Sequence, residues 1–165
     1  MSKILEFKNL WLKNQLCFAL YSATHTIVRF YTSKLAAVGL TYPQYLVLIV
    51  LWERDGISVK QLSETLDLDS GTLTPILKRM QAGGLVLRKR NSADERIVNL
   101  FLTKDAFGLR KRVAQIQKLV ACQTGLPDSE FVELRDKLNE LIKAMNANRE
   151  AKIALDRRRS NAFSP

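Results

Sequence analysis

The sequence predicts a mainly α-helical fold with a small β-hairpin, a winged helix-turn-helix framed by N- and C-terminal dimerisation helices. Three observations carry that expectation. Residues 62–84 read as a helix, a tight turn and a second helix. Residues 85–102 read as two short apolar strands around a polar turn. Helices with broad apolar stripes flank this block on both sides. The expected organisation is one domain over residues 1–165. Within it, 9–40 and 104–146 are dimerisation helices, 41–103 the winged helix-turn-helix and 147–165 a basic tail.

Taken in order, residues from about Asn9 to Ala37 are expected to form one long helix. Leu10, Cys17, Tyr21, Val28, Tyr31 and Leu35 follow one stripe, and Leu16, Leu20, Ala23 and Ile27 another. A helix apolar over so wide an arc must be covered on two sides. Gly39 ends it. Thr41-Tyr42-Pro43-Gln44 has capping-box spacing, with proline in the first turn. The cap therefore assigns YLVLIVLW, which could pass for a buried strand, to a buried helix reaching Glu53. Gly56 stops that helix, and Ser58-Val59-Lys60-Gln61 is a second capping box that starts the next.

Leu62, Leu66 and Leu68 mark the apolar face of the following short helix, and Asp67-Leu68-Asp69 breaks its period. Asp69 or Ser70 can cap a new helix, whose Leu73, Ile76, Leu77 and Met80 face inward. Its other face carries Ser70, Thr72, Lys78 and Arg79, to which Thr74 adds another short hydroxyl. A DNA-reading helix needs small polar groups near base edges and cations near phosphate. Taken alone, the pair reads as an ordinary amphipathic one. Pro75 lies past the first turn and removes one backbone hydrogen bond, leaving a slight bend or a tight first turn as alternatives.

The next segment changes that balance. Leu85 to Arg90 and Ile97 to Leu102 flank NSADER, and Arg88, Lys89, Arg90 and Arg96 place four cations on the arms and tip of the hairpin. A helix-turn-helix followed by a basic hairpin is a winged helix, which sets a helix in the major groove and the hairpin against the backbone or minor groove. Thr103 caps the next helix, running to about Gln123 with Leu109, Val113, Ile116 and Val120 as its stripe. Asp128 caps the last, with Phe131, Leu134, Leu138, Leu141, Ile142 and Met145. From about Asn146 the pattern fades, and Asp156 to Ser160 read as part of a frayed basic tail. The flanking helices carry more apolar surface than the winged core can cover. The economical arrangement is a homodimer, whose two reading helices would match a pseudo-palindromic operator.

Composition agrees. A net charge of +10 on 165 residues favours phosphate-rich partners. No run of about 18 apolar residues exists, so no membrane span is expected, and the N-terminus reads as mature protein. Two distant cysteines and a single histidine, His25, form neither a disulfide framework nor a zinc spacing. No metal and no cofactor are expected, and the compartment is read as a reducing cytoplasm.

With Asp94-Glu95-Arg96 followed by a strand and Leu102-Thr103, the architecture resembles the MarR family of winged-helix regulators. The likeness covers about Leu10 to Met145. The blocks LKNQLCFALYSA, GLTYPQYLVLIVLWE, LDLDSGTLTPILKRM and ADERIV resemble more narrowly its organic-hydroperoxide-sensing repressors, known as OhrR. The resemblance implies that Cys17 is the peroxide sensor and that Tyr31 and Tyr42 hydrogen-bond it from the partner subunit. It implies that Cys122 is a resolving cysteine joined to Cys17 across the dimer. It implies also that Arg96 enters the minor groove, oriented by Asp94. The inducer would be an organic hydroperoxide and the partner double-stranded operator DNA.

The residues bear on this chemistry. Cys17 is expected mid-helix, away from any helix N-terminus, with Tyr21 one turn on and Lys13 one turn back on its face. Tyr31 lies 14 positions along, roughly 21 Å at 1.5 Å per residue, so a Cys17–Tyr31 contact requires a second chain. Spacing alone reads Cys17 as a small buried hydrophobe; the resemblance reverses that. His25 is assigned no role, and Trp11 and Trp52 are assigned to the core. Three alternatives stand beside a redox-sensing repressor: a repressor released by a small aromatic ligand with passive cysteines, a thiol peroxidase using Cys17, and a sequence-indifferent nucleoid protein. The second lacks any Cys-x-x-Cys motif and leaves the basic wing unexplained.

Overall fold

The computed structural model describes residues 7–162, which form two compact units, one running to Val120 and the other beginning at Ala121. The continuous helix expected from Asn9 is not what forms. Two 3-10 turns, Lys8–Leu10 and Leu12–Asn14, precede α1, which spans Leu16–Leu35. The cause is local. The Asn14 side-chain amide donates to the Lys8 carbonyl (2.7 Å), and that of Gln15 donates to the Asn9 carbonyl. These polar side chains offer the backbone an alternative to helical pairing, and Trp11 and Gln15 adopt extended conformations. After a third 3-10 turn, Ala36–Val38, Gly39 takes φ +72°. There the Leu40 and Gly39 amides donate to the Leu35 and Ala36 carbonyls, both at 3.1 Å, the two bonds of a Schellman ending.

Helix α2, Tyr42–Glu53, is apolar on every side because α1, α3 (Val59–Leu66), α4 (Ser70–Ala82) and strand β2 (Val98–Leu102) all pack on it. The Thr41 amide donates to Gln44 Oε1 at its start (2.9 Å). Ser58 Oγ accepts from the Gln61 amide (3.1 Å) to begin α3, which ends at Asp67 in the left-handed region, a conformation that aspartate tolerates. Asp69, not Ser70, caps α4, and the helix runs unbroken through the exposed Pro75.

Strand β1, Val86–Arg90, pairs antiparallel with β2, with Val86 opposite Leu102 and Arg90 opposite Val98. Each strand starts one residue later than expected. The hairpin is tied back to the helices: Gly56 and Ile57 exchange 2.9 Å backbone hydrogen bonds with Leu100, and Asp55 Oδ1 accepts the Leu102 amide (2.8 Å). Gly56 sits at φ +78°, and a Cβ there would lie 3.1 Å from the Phe101 ring, so glycine lets the loop pass under the wing. The core joins Leu48, Leu51, Leu62, Leu73, Leu77, Met80, Val86 and Leu100, all essentially inaccessible.

Thr103 both caps α5 (Lys104–Gln123), accepting the Ala106 amide (3.2 Å), and donates its hydroxyl to the Gly84 carbonyl (2.7 Å). Ala106, Val113, Ile116 and Val120 are buried. Trp52 is half-buried, its indole donating to the Ala106 carbonyl (3.2 Å), and Trp11 is half-buried too. In the second unit, α6 spans Asp128–Ala162. The expected frayed tail from 147 is therefore helical as far as 162, and residues 163–165 lie outside the described residues. Residues 147–162 are rich in alanine and arginine, which sustain a helix without an apolar stripe.

Candidate DNA-binding face and thiol site

The Asp69 carboxylate accepts both the backbone N–H (2.9 Å) and the hydroxyl (2.8 Å) of Thr72, fixing the first turn of α4. These two bonds hold the Asp69 carboxyl below its ordinary range. Because Leu73, Ile76, Leu77 and Met80 are buried, α4 turns Ser70, Gly71, Thr72, Pro75, Lys78 and Arg79 to solvent, while Thr74 is half-buried. The outward face is thus short hydroxyls in the first turn and cations in the later turns, as expected. The Thr72 hydroxyl proton, however, is engaged by Asp69, which leaves the oxygen's lone pairs as its outward offering.

On the wing, Arg88 is half-buried, and Lys89, Arg90 and Arg96 are exposed. The Lys89 ammonium lies 5.4 Å from the centre of the Phe101 ring. Arg90 is 3.9 Å from the Glu95 carboxylate, a solvent-exposed pair of little energetic weight. Asn91 Oδ1 accepts the Ala93 amide (2.8 Å), and Asp94 Oδ1 accepts the Arg96 amide (3.0 Å). Asp94 therefore acts on Arg96 through the turn's backbone; no ion pair with the guanidinium occurs among the described residues.

Cys17 is free and exposed, and it is the second residue of α1 rather than a mid-helix one. The expected mid-helix position, away from any helix N-terminus, is therefore overturned. Lys13 does not share its helix: it belongs to the preceding 3-10 turn and sits 4.7 Å from the Trp11 ring centre. Tyr21 does follow one turn later, its ring 4.3 Å from His25, both exposed. Along α1, Leu16, Phe18, Tyr21 and Ile27 leave much of their surface open, Leu16 and Tyr21 60% each. Cys122, in the last turn of α5, is also free and exposed, and it belongs to the second unit.

Packing of α1 against α2 brings Tyr31 and Tyr42 together, with ring centres 5.4 Å apart. A third phenol completes the group. Tyr45 is 5.0 Å from Tyr31 and 5.8 Å from Tyr42, is 4% exposed, and places its hydroxyl 3.3 Å from that of Tyr31. Burial, then the Tyr31 hydrogen bond, raises the Tyr45 phenol far above the ordinary tyrosine range. Burial, then the neighbouring Tyr31, raises Tyr42. Sequence reasoning did not single out Tyr45; its signal was the three-residue spacing from Tyr42, which puts both rings on one helical face. Cys17 and Tyr31 both lie on α1, so their separation along its axis is about 21 Å. Among the described residues no group of three or more His, Cys, Asp or Glu could hold a metal ion. No single described helix is long and apolar enough to cross a membrane.

Comparison with known proteins places this arrangement. The family described as transcriptional regulator SarA/Rot matches residues 29–113. The regulator TtmR of Methylorubrum extorquens is 48% identical over 136 residues, covering 82% of this chain and 70% of that protein. The organic hydroperoxide resistance transcriptional regulator of Bacillus subtilis is 38% identical over 141 residues, covering 86% and 96%. Structures of AbfR, the Staphylococcus epidermidis protein among them, align closely. Reduced AbfR bound to DNA is 35% identical with a TM-score of 0.71, covering 82% of this chain and 93% of that one. The disulfide-formed protein is 36% identical with a TM-score of 0.60, covering 84% and 92%. These relatives are regulators of transcription, not enzymes. The chain belongs to the MarR family of winged-helix DNA-binding transcriptional regulators, alongside its redox-sensing organic-hydroperoxide, MgrA and AbfR members.

Proposed function

We propose that the protein is a dimeric cytoplasmic repressor that holds operator DNA while Cys17 is reduced and releases it when an organic hydroperoxide oxidises that thiol. The observation that carries this reading is the placement of the thiol and of Tyr31 towards opposite ends of one helix. Cys17 opens α1, while Tyr31, near its far end, is clustered with Tyr42. A rigid separation of about 21 Å lets Tyr31 and Tyr42 reach only the Cys17 of the partner subunit. The exposed apolar residues of α1, and Ile142 and Met145 of α6, supply surface for that dimer. The reduced, DNA-bound and disulfide-formed states of AbfR, and the organic hydroperoxide resistance regulator of Bacillus subtilis, support the same chemistry.

In the DNA complex α4 enters the major groove, with Ser70, Thr72 and Thr74 near base edges and Lys78 and Arg79 on phosphate. Arg88, Lys89 and Arg90 line the wing, and Arg96 reaches the minor groove on a turn shaped by Asp94. In sensing, the Cys17 thiolate attacks the hydroperoxide: an S–O bond forms, the O–O bond breaks, and the alkoxide leaves as alcohol after taking a proton. Sulfur is oxidised to the sulfenic acid and the peroxide reduced. The partner's Cys122 then attacks that sulfur, an S–S bond forms, the S–O bond breaks, and hydroxide leaves with a proton as water. The new bond moves the terminal helices and changes the spacing of the two reading heads, so one operator no longer accepts both. Titrating cumene hydroperoxide against operator binding tests the reading. Wild type is released in step with Cys17 oxidation, and Cys17→Ser binds but ignores the peroxide. Release of Cys17→Ser at the wild-type dose would transfer the role to a ligand site with passive cysteines.

A further inference from the structure

The tyrosine group holds one residue that the thiol mechanism above does not use. Tyr45 is buried, and its hydroxyl has Tyr31 as its hydrogen-bond partner, with no other among the described residues. Two hydroxyls joined by one hydrogen bond divide the roles of donor and acceptor. Were Tyr31 the donor, the Tyr45 proton would be left in the core without a partner, at the desolvation penalty of a buried donor. With Tyr45 as donor that penalty is avoided; among the described residues no buried side-chain nitrogen or oxygen lacks a hydrogen-bond partner. Tyr31 then accepts, and its own proton points away from Tyr45. The ring is half-buried, so that proton has an open side to serve. A hydroxyl that accepts a hydrogen bond also becomes a better donor through its own proton.

We propose that Tyr45 is a positioning residue for thiol sensing: its buried hydroxyl donates to Tyr31 and commits the Tyr31 proton to the Cys17 thiolate of the partner subunit. The proposal rests on the Cys17 reading above. Tyr42 packs against both rings and limits their rotation. The 3.3 Å separation is longer than an ideal O–H···O bond, so the effect is a modest tuning and not a switch.

The test uses full-length reduced protein in a Cys122→Ser background, so that the sulfenic acid is not consumed by a second thiol. Tyr45→Phe, Tyr31→Phe and the double variant are compared for the rate of sulfenic-acid formation with cumene hydroperoxide and for the pH profile of Cys17 alkylation. Tyr45→Phe keeps the ring and removes only the donor. It slows the reaction about two- to fourfold, the share of a charge-assisted hydrogen bond that one cooperative partner supplies. It moves the alkylation profile to higher pH, leaves operator binding by the reduced protein unchanged, and adds nothing once Tyr31 is phenylalanine. A wild-type rate and profile in Tyr45→Phe, beside a slowed Tyr31→Phe, overturns the proposal while sparing the sensor reading. Independent, multiplying effects overturn it equally. If Tyr31→Phe itself behaves as wild type, the Tyr31–thiolate contact is absent and the proposal falls, while the Cys17 reading still stands or falls with Cys17→Ser. Where Tyr45→Phe does not fold, a ring-fluorinated tyrosine at position 45, a stronger donor of the same shape, raises the rate; an unchanged rate overturns the proposal.

Discussion

Salt dependence of operator binding offers the most quantitative check on the proposed interface. Each protomer presents six candidate cations, Lys78 and Arg79 on α4 and Arg88, Lys89, Arg90 and Arg96 on the wing. Lys89 lies over Phe101 and Arg90 faces Glu95, so these two have competing partners at home. The other four have no carboxylate partner within ion-pair distance among the described residues. Two protomers therefore bring about eight uncommitted cations to a palindromic site, and log K falls against log salt with a slope of about −7. Between about 50 and 200 mM salt the affinity drops by roughly four orders of magnitude. Arg96→Ala removes one such contact per protomer and reduces the slope to about −5. Asp94→Ala acts in the same direction, because Asp94 holds the Arg96 amide and hence the course of the turn. Fluorescence anisotropy of a labelled operator across a salt series measures both. A slope near zero refutes phosphate contact by this face, and a slope untouched by Arg96→Ala removes Arg96 from the interface.

Three further outcomes are expected. Oxidised wild type runs as a covalent dimer on non-reducing gels, whereas Cys122→Ser does not, forms the sulfenic acid, releases DNA less completely and drifts to the sulfinic and sulfonic acids; peptide mapping without a Cys17–Cys122 link would end the pairing. Leu77→Ala, at a position 1% exposed on the inner face of α4, lowers stability by about 2–5 kcal/mol in urea unfolding of the reduced protein; a loss well below 1 kcal/mol would mean that α4 is not anchored there. The Asp69 carboxyl, depressed by Thr72, contributes stability that is fully present above the ordinary carboxylate range and is lost as pH falls through its lowered value. In Asp69→Asn that component disappears from the acid limb of a thermal-unfolding series, and an acid limb identical to wild type would contradict the cap's role.

Much of the fold was legible because its signals are local. Capping boxes at Thr41 and Ser58, the break at Asp67 to Asp69, and glycines at 39 and 56 each act within a few residues. The helix boundaries they mark need no knowledge of the rest of the chain. The same held for the two strands, whose apolar residues flank a turn shaped by Asn91 and Asp94. The first helix was misread for a related reason. Its apolar period runs on through 9–15, but Asn14 and Gln15 turn their side chains onto the Lys8 and Asn9 carbonyls. A hydrophobic pattern does not reveal that competition, and with it went the position of Cys17 at a helix start.

By itself the sequence determined the order of elements, the face that each helix of the reading motif buries, and the distance along one helix that keeps Tyr31 from Cys17 of its own chain. The last is a consequence of helical rise alone. Tertiary structure decided which side chains share an environment. Tyr45 meets Tyr31 because α1 packs on α2, and the separation of 14 residues between them carries no local signal. Asp55 meets the Leu102 amide across 47 positions, and Lys89 meets Phe101 only once the hairpin has its register. Which polar group finds which partner depends on desolvation and on geometry fixed by distant segments. That is why the contact of Tyr45 with Tyr31 emerged only from the folded chain.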